Sequence, residues 1–151
     1  VPVFGATKFL AAGVMLAVTV SGCGVLSSFG GLNSRECMTR VMYFESNRSS
    51  AEGMLAVGTV VMNRVNDRKY PKSVCGVVGQ KNQFAPGVLW KPMKEGRSKA
   101  LAQSVADRVL GGERHSGVRS AKHFHTAGLR FPYNNMHYVL EAGGNEFYEK
   151  R

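Results

Sequence analysis

The residue best suited to acid chemistry is a glutamate in apolar company. Glu45 follows Met42, Tyr43 and Phe44 and falls in helical register with Met38. A carboxylate drawn out of water loses stabilisation of its charge, so its pKa rises. A carboxylic acid that keeps its proton near neutral pH can protonate a leaving-group oxygen. Cleavage of a glycosidic bond requires that proton, because the departing alkoxide is a poor leaving group. The same glutamate at a helix end facing water would do no chemistry, and the pattern by itself leaves both readings open.

Other residues offer weaker chemistry. His123 and His125 would share one face of a strand. With His115 or His137 they could hold zinc. The sequence has no His-Glu-x-x-His motif, and neither a metal nor any other cofactor is expected. Ser49-Ser50-Ala51-Glu52 fits the capping-box pattern, which gives Glu52 a sufficient structural role. Asn63 stands in an otherwise apolar helix and needs a partner if buried, so it reads as structural.

The elements that would position Glu45 are mainly helical. Arg35 to about Asn47 is predicted as an amphipathic helix, with Cys37, Val41 and Phe44 on one row and Met38, Met42 and Glu45 on the next. Asn33 or Ser34 can cap it. Ser49 to Asn66 is predicted as a second helix, apolar nearly all round and therefore buried. Gly58 within it points to close helix contact, since glycine there costs about 1 kcal/mol against alanine. Asp67 to Gln80 reads as loop with a short helical turn, and Lys81 to Lys94 as irregular. Gly96 to Leu110 is predicted as a third helix, ended by Gly111-Gly112. Ser120 to Thr126 and Met136 to Leu140 read as short strands, joined by a turn near Pro132 to Asn135. The expected fold class is α+β, mainly helical, in a single domain with a small β element.

Composition sets the outer bounds. The chain has 151 residues, 44% hydrophobic, with a formal charge of +10. Such a surface seeks polyanions: nucleic acid, acidic lipid or an anionic envelope polymer. The N-terminus selects among them. Phe9 to Val20 is an uncharged apolar run preceded by Lys8 and followed by Ser21 and Gly22. About a dozen residues is short for a bilayer, which takes about 20. The layout is that of a secretory signal peptide, so nucleic acid is not an expected partner. Val20-Ser21-Gly22-Cys23 resembles the bacterial lipobox, which implies cleavage before Cys23 and lipid on its thiol. The expected boundaries are a signal peptide over residues 1–22, a tether over 23–34 and a catalytic domain over 35–151. Gly24, where Asp would signal retention, points to the outer membrane, with the protein facing the periplasm as a monomer. Cys37 and Cys75 then remain, and an oxidising compartment favours their pairing over two separate thiols.

Cys37 to Val78 resembles the core of the SleB-type cell wall hydrolases, the spore-cortex-lytic family. The resemblance rests on Tyr43-Phe44-Glu45, Glu52-Gly53, Asn63-Arg64-Val65, Tyr70-Pro71 and Val74-Cys75-Gly76-Val77. It continues through Gln83-Phe84, Lys122 to His125, and Gly143 to Tyr148. It implies a lysozyme-like fold related to lytic transglycosylases. It implies cleavage of the β-1,4 bond between N-acetylmuramic acid and N-acetylglucosamine in peptidoglycan, with Glu45 as catalytic acid. In this setting Gln83, Phe84, Tyr43, Trp90 and His125 are candidate sugar-binding residues. Trp90, as a lone tryptophan, is also a candidate for the core. The chain departs from the family pattern at Ser46-Asn47-Arg48-Ser49, where Ala-Arg-Gly-Glu is usual, at Asn145, where a histidine is usual, and at Asn82, where some relatives have a cysteine. The alternatives are a wall-binding lipoprotein without activity and a zinc-dependent amidase or peptidase.

Overall fold

The computed structural model describes residues 31–151. The predicted signal peptide, Cys23 and most of the tether lie outside them. The first helix, α1 (Ser34–Glu45), starts where Asn33 accepts the Glu36 amide at 2.9 Å, satisfying a free donor of its first turn. It ends two residues earlier than its periodicity suggests. The reason is tertiary. Asn145 Nδ2 donates to the Glu45 carbonyl at 2.6 Å, and the Asn47 amide donates to the Gly143 carbonyl at 2.8 Å. These bonds satisfy groups that a further helical turn would have used.

The second helix, α2 (Ala51–Asn66), is capped by Ser50, whose side chain accepts the Gly53 amide at 3.0 Å. The capping box predicted from Ser49 does not form. Asn47 Oδ1 accepts from the Ser49 amide and hydroxyl instead, and Glu52 turns to His115 Nε2 at 3.2 Å. Residues 53–61 of α2 are buried throughout. Gly58 is required there: a Cβ would stand 2.3 Å from Met42 Cε and 3.1 Å from Val109 Cγ2. A short helix, α3 (Val74–Val78), and a long one, α4 (Gly96–Leu110), complete the helical half. α1 packs on α2, α3 and α4, and a disulfide between Cys37 and Cys75 ties α1 to α3.

A 3-10 turn (Ser116–Val118) leads to β1 (His123–Thr126), β2 (Met136–Ala142) and β3 (Asn145–Lys150). They form an antiparallel sheet in the order β1-β3-β2. β1 starts three residues later than predicted, and β3, the central strand, carries no strand signal in its own composition. Gly143 and Gly144 both have positive φ, +57° and +82°, which suits a two-residue turn between twisted strands. Gly143 also presses on α2, where a Cβ would meet Gly53 Cα at 2.5 Å. The fold is thus α+β and mainly helical, with the sheet joined to α2. Among the described residues no helix is long and apolar enough to cross a membrane.

Candidate active site

Glu45 is the last residue of α1 and is half-buried. Its Oε1 accepts a hydrogen bond from the Ala85 amide. Burial is the largest influence on its proton and holds the carboxyl above its ordinary pKa. The Ala85 amide and the charge of Arg64 draw it part of the way back. A carboxyl with one oxygen fixed and its pKa raised is better prepared to give a proton to a neighbouring oxygen.

α1 itself fixes the loop that meets Glu45. Arg40 Nη1 donates to the Lys91 carbonyl at 2.8 Å, and the Tyr43 hydroxyl accepts the Glu95 amide at 3.0 Å. Between these anchors and α3 the chain folds through successive turns, including Val88 amide to Ala85 carbonyl at 3.1 Å and Lys91 amide to Gly87 carbonyl at 2.8 Å. The loop encloses a depression of about 220 Å³ lined by Gln80, Phe84, Ala85 and Trp90 among others.

Arg64, a buried cation not singled out among the candidates from sequence, also acts on Glu45 through its charge. It is 4% exposed. Its Nε donates to the Lys122 carbonyl at 2.8 Å, and its guanidinium lies over Phe84 and Tyr70 at 5.1 and 5.4 Å. Nη1 is buried without a hydrogen-bond partner among the described residues. Burial lowers the pKa of Arg64, yet a guanidinium stays charged in proteins. The signal was present in the sequence: Val57, Val60, Val61 and Arg64 share helical spacing, which puts Arg64 on the buried face. Asn63, beside it, donates to the Arg119 and Ala121 carbonyls at 3.0 and 2.9 Å and so docks the strand region on α2.

The other predicted residues divide. Phe84 belongs with Glu45: it is half-buried, packs under Arg64 and faces Phe124 at 6.3 Å. Gln83 is exposed on the same loop. Trp90 is 74% exposed, so the core placement weighed for it is corrected. It comes from a loop whose buried anchor is Val88, leaving its indole on the surface. Tyr43 is a correction in the opposite sense. It is 1% exposed, its hydroxyl is taken by the Glu95 amide, and Arg48 lies over its ring at 4.5 Å. It is a core residue that anchors the loop and does not line the cleft. His125 stands on β1 within an aromatic group of Phe131, Tyr138 and Tyr148. His123 stacks on Tyr148 at 5.4 Å, and its pKa is lowered to about 4 by burial first and then by Lys150, Arg64 and Lys122.

A profile described as Cell Wall Hydrolase matches residues 48–148. The chain belongs to the cell wall hydrolase family. The matched segment includes Arg64, Phe84 and Tyr148 and begins three residues after Glu45. A spore cortex-lytic enzyme of Oceanobacillus iheyensis is 32% identical over 76 residues, which cover 48% of this chain and 28% of that relative. The fold matches the catalytic domain of the germination-specific lytic transglycosylase SleB of Bacillus anthracis. That match has a TM-score of 0.61 at 20% identity and covers 79% of this chain and 98% of the other. The catalytic domain of the Bacillus cereus SleB protein matches with a TM-score of 0.58 at 20% identity, over 77% and 89% of the two chains. At 20% identity the similarity to these solved domains concerns the fold alone.

Proposed function

We propose that this cell wall hydrolase cleaves peptidoglycan glycan strands at the β-1,4 bond between N-acetylmuramic acid and N-acetylglucosamine, as a lytic transglycosylase. The observation that carries this reading is the carboxyl of Glu45, half-buried, pinned by the Ala85 amide and held above its ordinary pKa by burial. Glu45 gives its proton to the glycosidic oxygen as the bond from that oxygen to the muramic C1 breaks. The resulting carboxylate then takes the proton of the same sugar's C6 hydroxyl as that oxygen bonds to C1. Glu45 ends protonated, as it began, and no water is consumed. The chemistry needs one acid that becomes a base, and no second carboxylate. Arg64 offsets the carboxylate formed between the two steps. Gln83, Phe84 and Trp90, on the loop whose Ala85 amide holds Glu45, are the sugar-gripping residues in this reading.

Purified protein incubated with peptidoglycan should release fragments with 1,6-anhydro ends, read by mass spectrometry, and Glu45→Gln should release none. Reducing ends in their place would assign the reaction to hydrolysis. Binding without cleavage would return the protein to the wall-binding reading. Lipid on Cys23 would hold the enzyme to a membrane facing the periplasm, the outer membrane by the Gly24 signal. Labelling with a fatty-acid probe tests this, and Cys23→Ser should abolish the label.

A further inference from the structure

The sheet carries an aromatic face that the acid chemistry at Glu45 does not use. Side chains alternate along a strand, so Phe124 and Phe147 meet on the core side, 5.3 Å apart. The register pairs His123 with Tyr148 and Tyr138 with Tyr148, which places these rings together on the opposite side with His125. The connection from β1 to β2 then folds over this face. Phe131 meets His125 edge-on at 4.8 Å, and Tyr133 lies parallel to Phe131 at 6.3 Å, with 11° between the planes. Tyr133 is 66% exposed, and Phe131 and Tyr138 are 41% and 42% exposed. Burying these rings elsewhere would be favourable, and exposed apolar clusters rimmed by polar groups mark binding surfaces.

The rings enclose a cavity of about 340 Å³ lined by His125, Phe131, Tyr133 and Tyr148, with Asn135 and Lys150 also in its wall. That size sits at the lower end of small-molecule sites, roughly 300–1,000 Å³. It suits a single ring with its substituents and is too small for a protein segment. His125 presents a flat ring to it. The Thr126 carbonyl, 2.8 Å from Nδ1, can only accept, so Nδ1 carries a proton, and Nε2 lies 2.8 Å from the Tyr138 hydroxyl. Flat rings at several angles match the C–H faces of a pyranose. An amide and an ammonium in the wall match its acetamido group and an acidic substituent. Arg64 acts electrostatically on His123, Tyr148 and Glu45 alike.

We propose that this pocket is a distal subsite for the glycan strand, in which Tyr133 and Phe131 stack on an N-acetylated pyranose and Lys150 receives a carboxylate carried by that sugar. The inference rests on the peptidoglycan reading above and adds where the strand continues beyond the cut bond. The pocket selects strands long enough to reach it, and a sugar acid over a neutral one.

The test uses the whole chain carrying Glu45→Gln, so that strands bind uncut. Calorimetric titration with soluble glycan strands is compared between this protein and the same protein with Phe131→Ala and Tyr133→Ala added. Dissociation constants should rise roughly fivefold to tenfold when the stacked pair is lost. Tyr133→Trp in place of alanine should restore affinity, which separates stacking from misfolding. Lys150→Gln should weaken binding of strands bearing carboxylates and leave N-acetylglucosamine oligomers unaffected. Equal affinity in the alanine variant overturns the subsite while leaving cleavage at Glu45 untouched. Absence of anhydro products from the unmodified protein, with the ring-dependent affinity intact, overturns the transglycosylase reading alone.

Discussion

The helical half and the sheet treat their large side chains in opposite ways. In α1 and α2 most large apolar residues are sealed: Met38, Met42, Tyr43 and Met54 are at most 1% exposed, while Phe44 and Met62 are half-buried. In the sheet only Phe147 is sealed to that degree, while Tyr138 and the loop residues Phe131 and Tyr133 face solvent. One half is built to hold a carboxyl still, and the other to present rings. The two are joined at few points, of which Asn145 to the Glu45 carbonyl and Asn47 to the Gly143 carbonyl are the most direct. The acid therefore belongs to the rigid half but has its backbone set by the sheet. Burial and access are assigned to different elements, and Glu45 lies where they meet.

The strongest way to break this division is at Glu45. Glu45→Gln should lower cleavage by about 10²- to 10⁴-fold, the usual range for loss of a general acid or base, measured by release of anhydro fragments. The same variant should be more stable than the parent at neutral pH. The folded carboxyl has a raised pKa, so its stabilising contribution is complete below the ordinary value of 4.5 and lost as pH rises through the folded value. The stability gain of the glutamine variant should therefore vanish below pH 4.5, which thermal unfolding across pH will show.

The rigidity of the helical half depends on its crosslink. Replacing Cys37 and Cys75 by serine should cost about 2–4 kcal/mol of unfolding free energy, since the bridge closes a separation of 38 residues. Denaturant titration reads this, and strand affinity at the aromatic pocket should change little by comparison in protein that remains folded. At the join, Asn145→Ala leaves the Glu45 carbonyl without its donor and should cost about 1–3 kcal/mol, with a fall in activity larger than that of a surface control.

Arg64→Met tests whether the buried cation tunes the acid. The charge of Arg64 lowers the Glu45 pKa. Its removal should move the alkaline limb of the activity profile to higher pH, while a variant that only loosens packing would lower the profile without moving it. The smallest effect is expected at His123. Its folded pKa of about 4, against 6.5, means that the unfolded chain takes the proton first. The stability it contributes is present above pH 6.5 and lost as pH falls towards 4, so His123→Phe should flatten the stability profile over that interval.

Much of the site's first residue was legible without coordinates. The apolar rows of α1 and α2, Gly58 at a helix contact, and Glu45 at the end of an apolar stripe follow from helical period and glycine's cost. Those are local properties, written into neighbouring residues. Other features escaped for reasons equally physical. β3 reads Asn-Glu-Phe-Tyr-Glu-Lys, and its pairing on both edges supplies backbone bonds that its side chains do not announce. Tyr43 and Trp90 exchanged the roles weighed for them, because aromatic size favours both core and cleft and only packing chooses.

The sequence by itself determined an amphipathic α1 that ends in an acid, a buried α2, the α+β class and the resemblance to a cell wall hydrolase. These depend on spacing along the chain. The tertiary structure alone decided which groups meet that acid: the Ala85 amide from a loop forty residues on and the Asn145 side chain a hundred residues on. It also decided that Arg64 lies buried against Phe84 and Tyr70, and that four rings close a pocket on the sheet. A proton's affinity depends on the dielectric and charges within a few ångströms. In this chain those come from segments that only folding brings together.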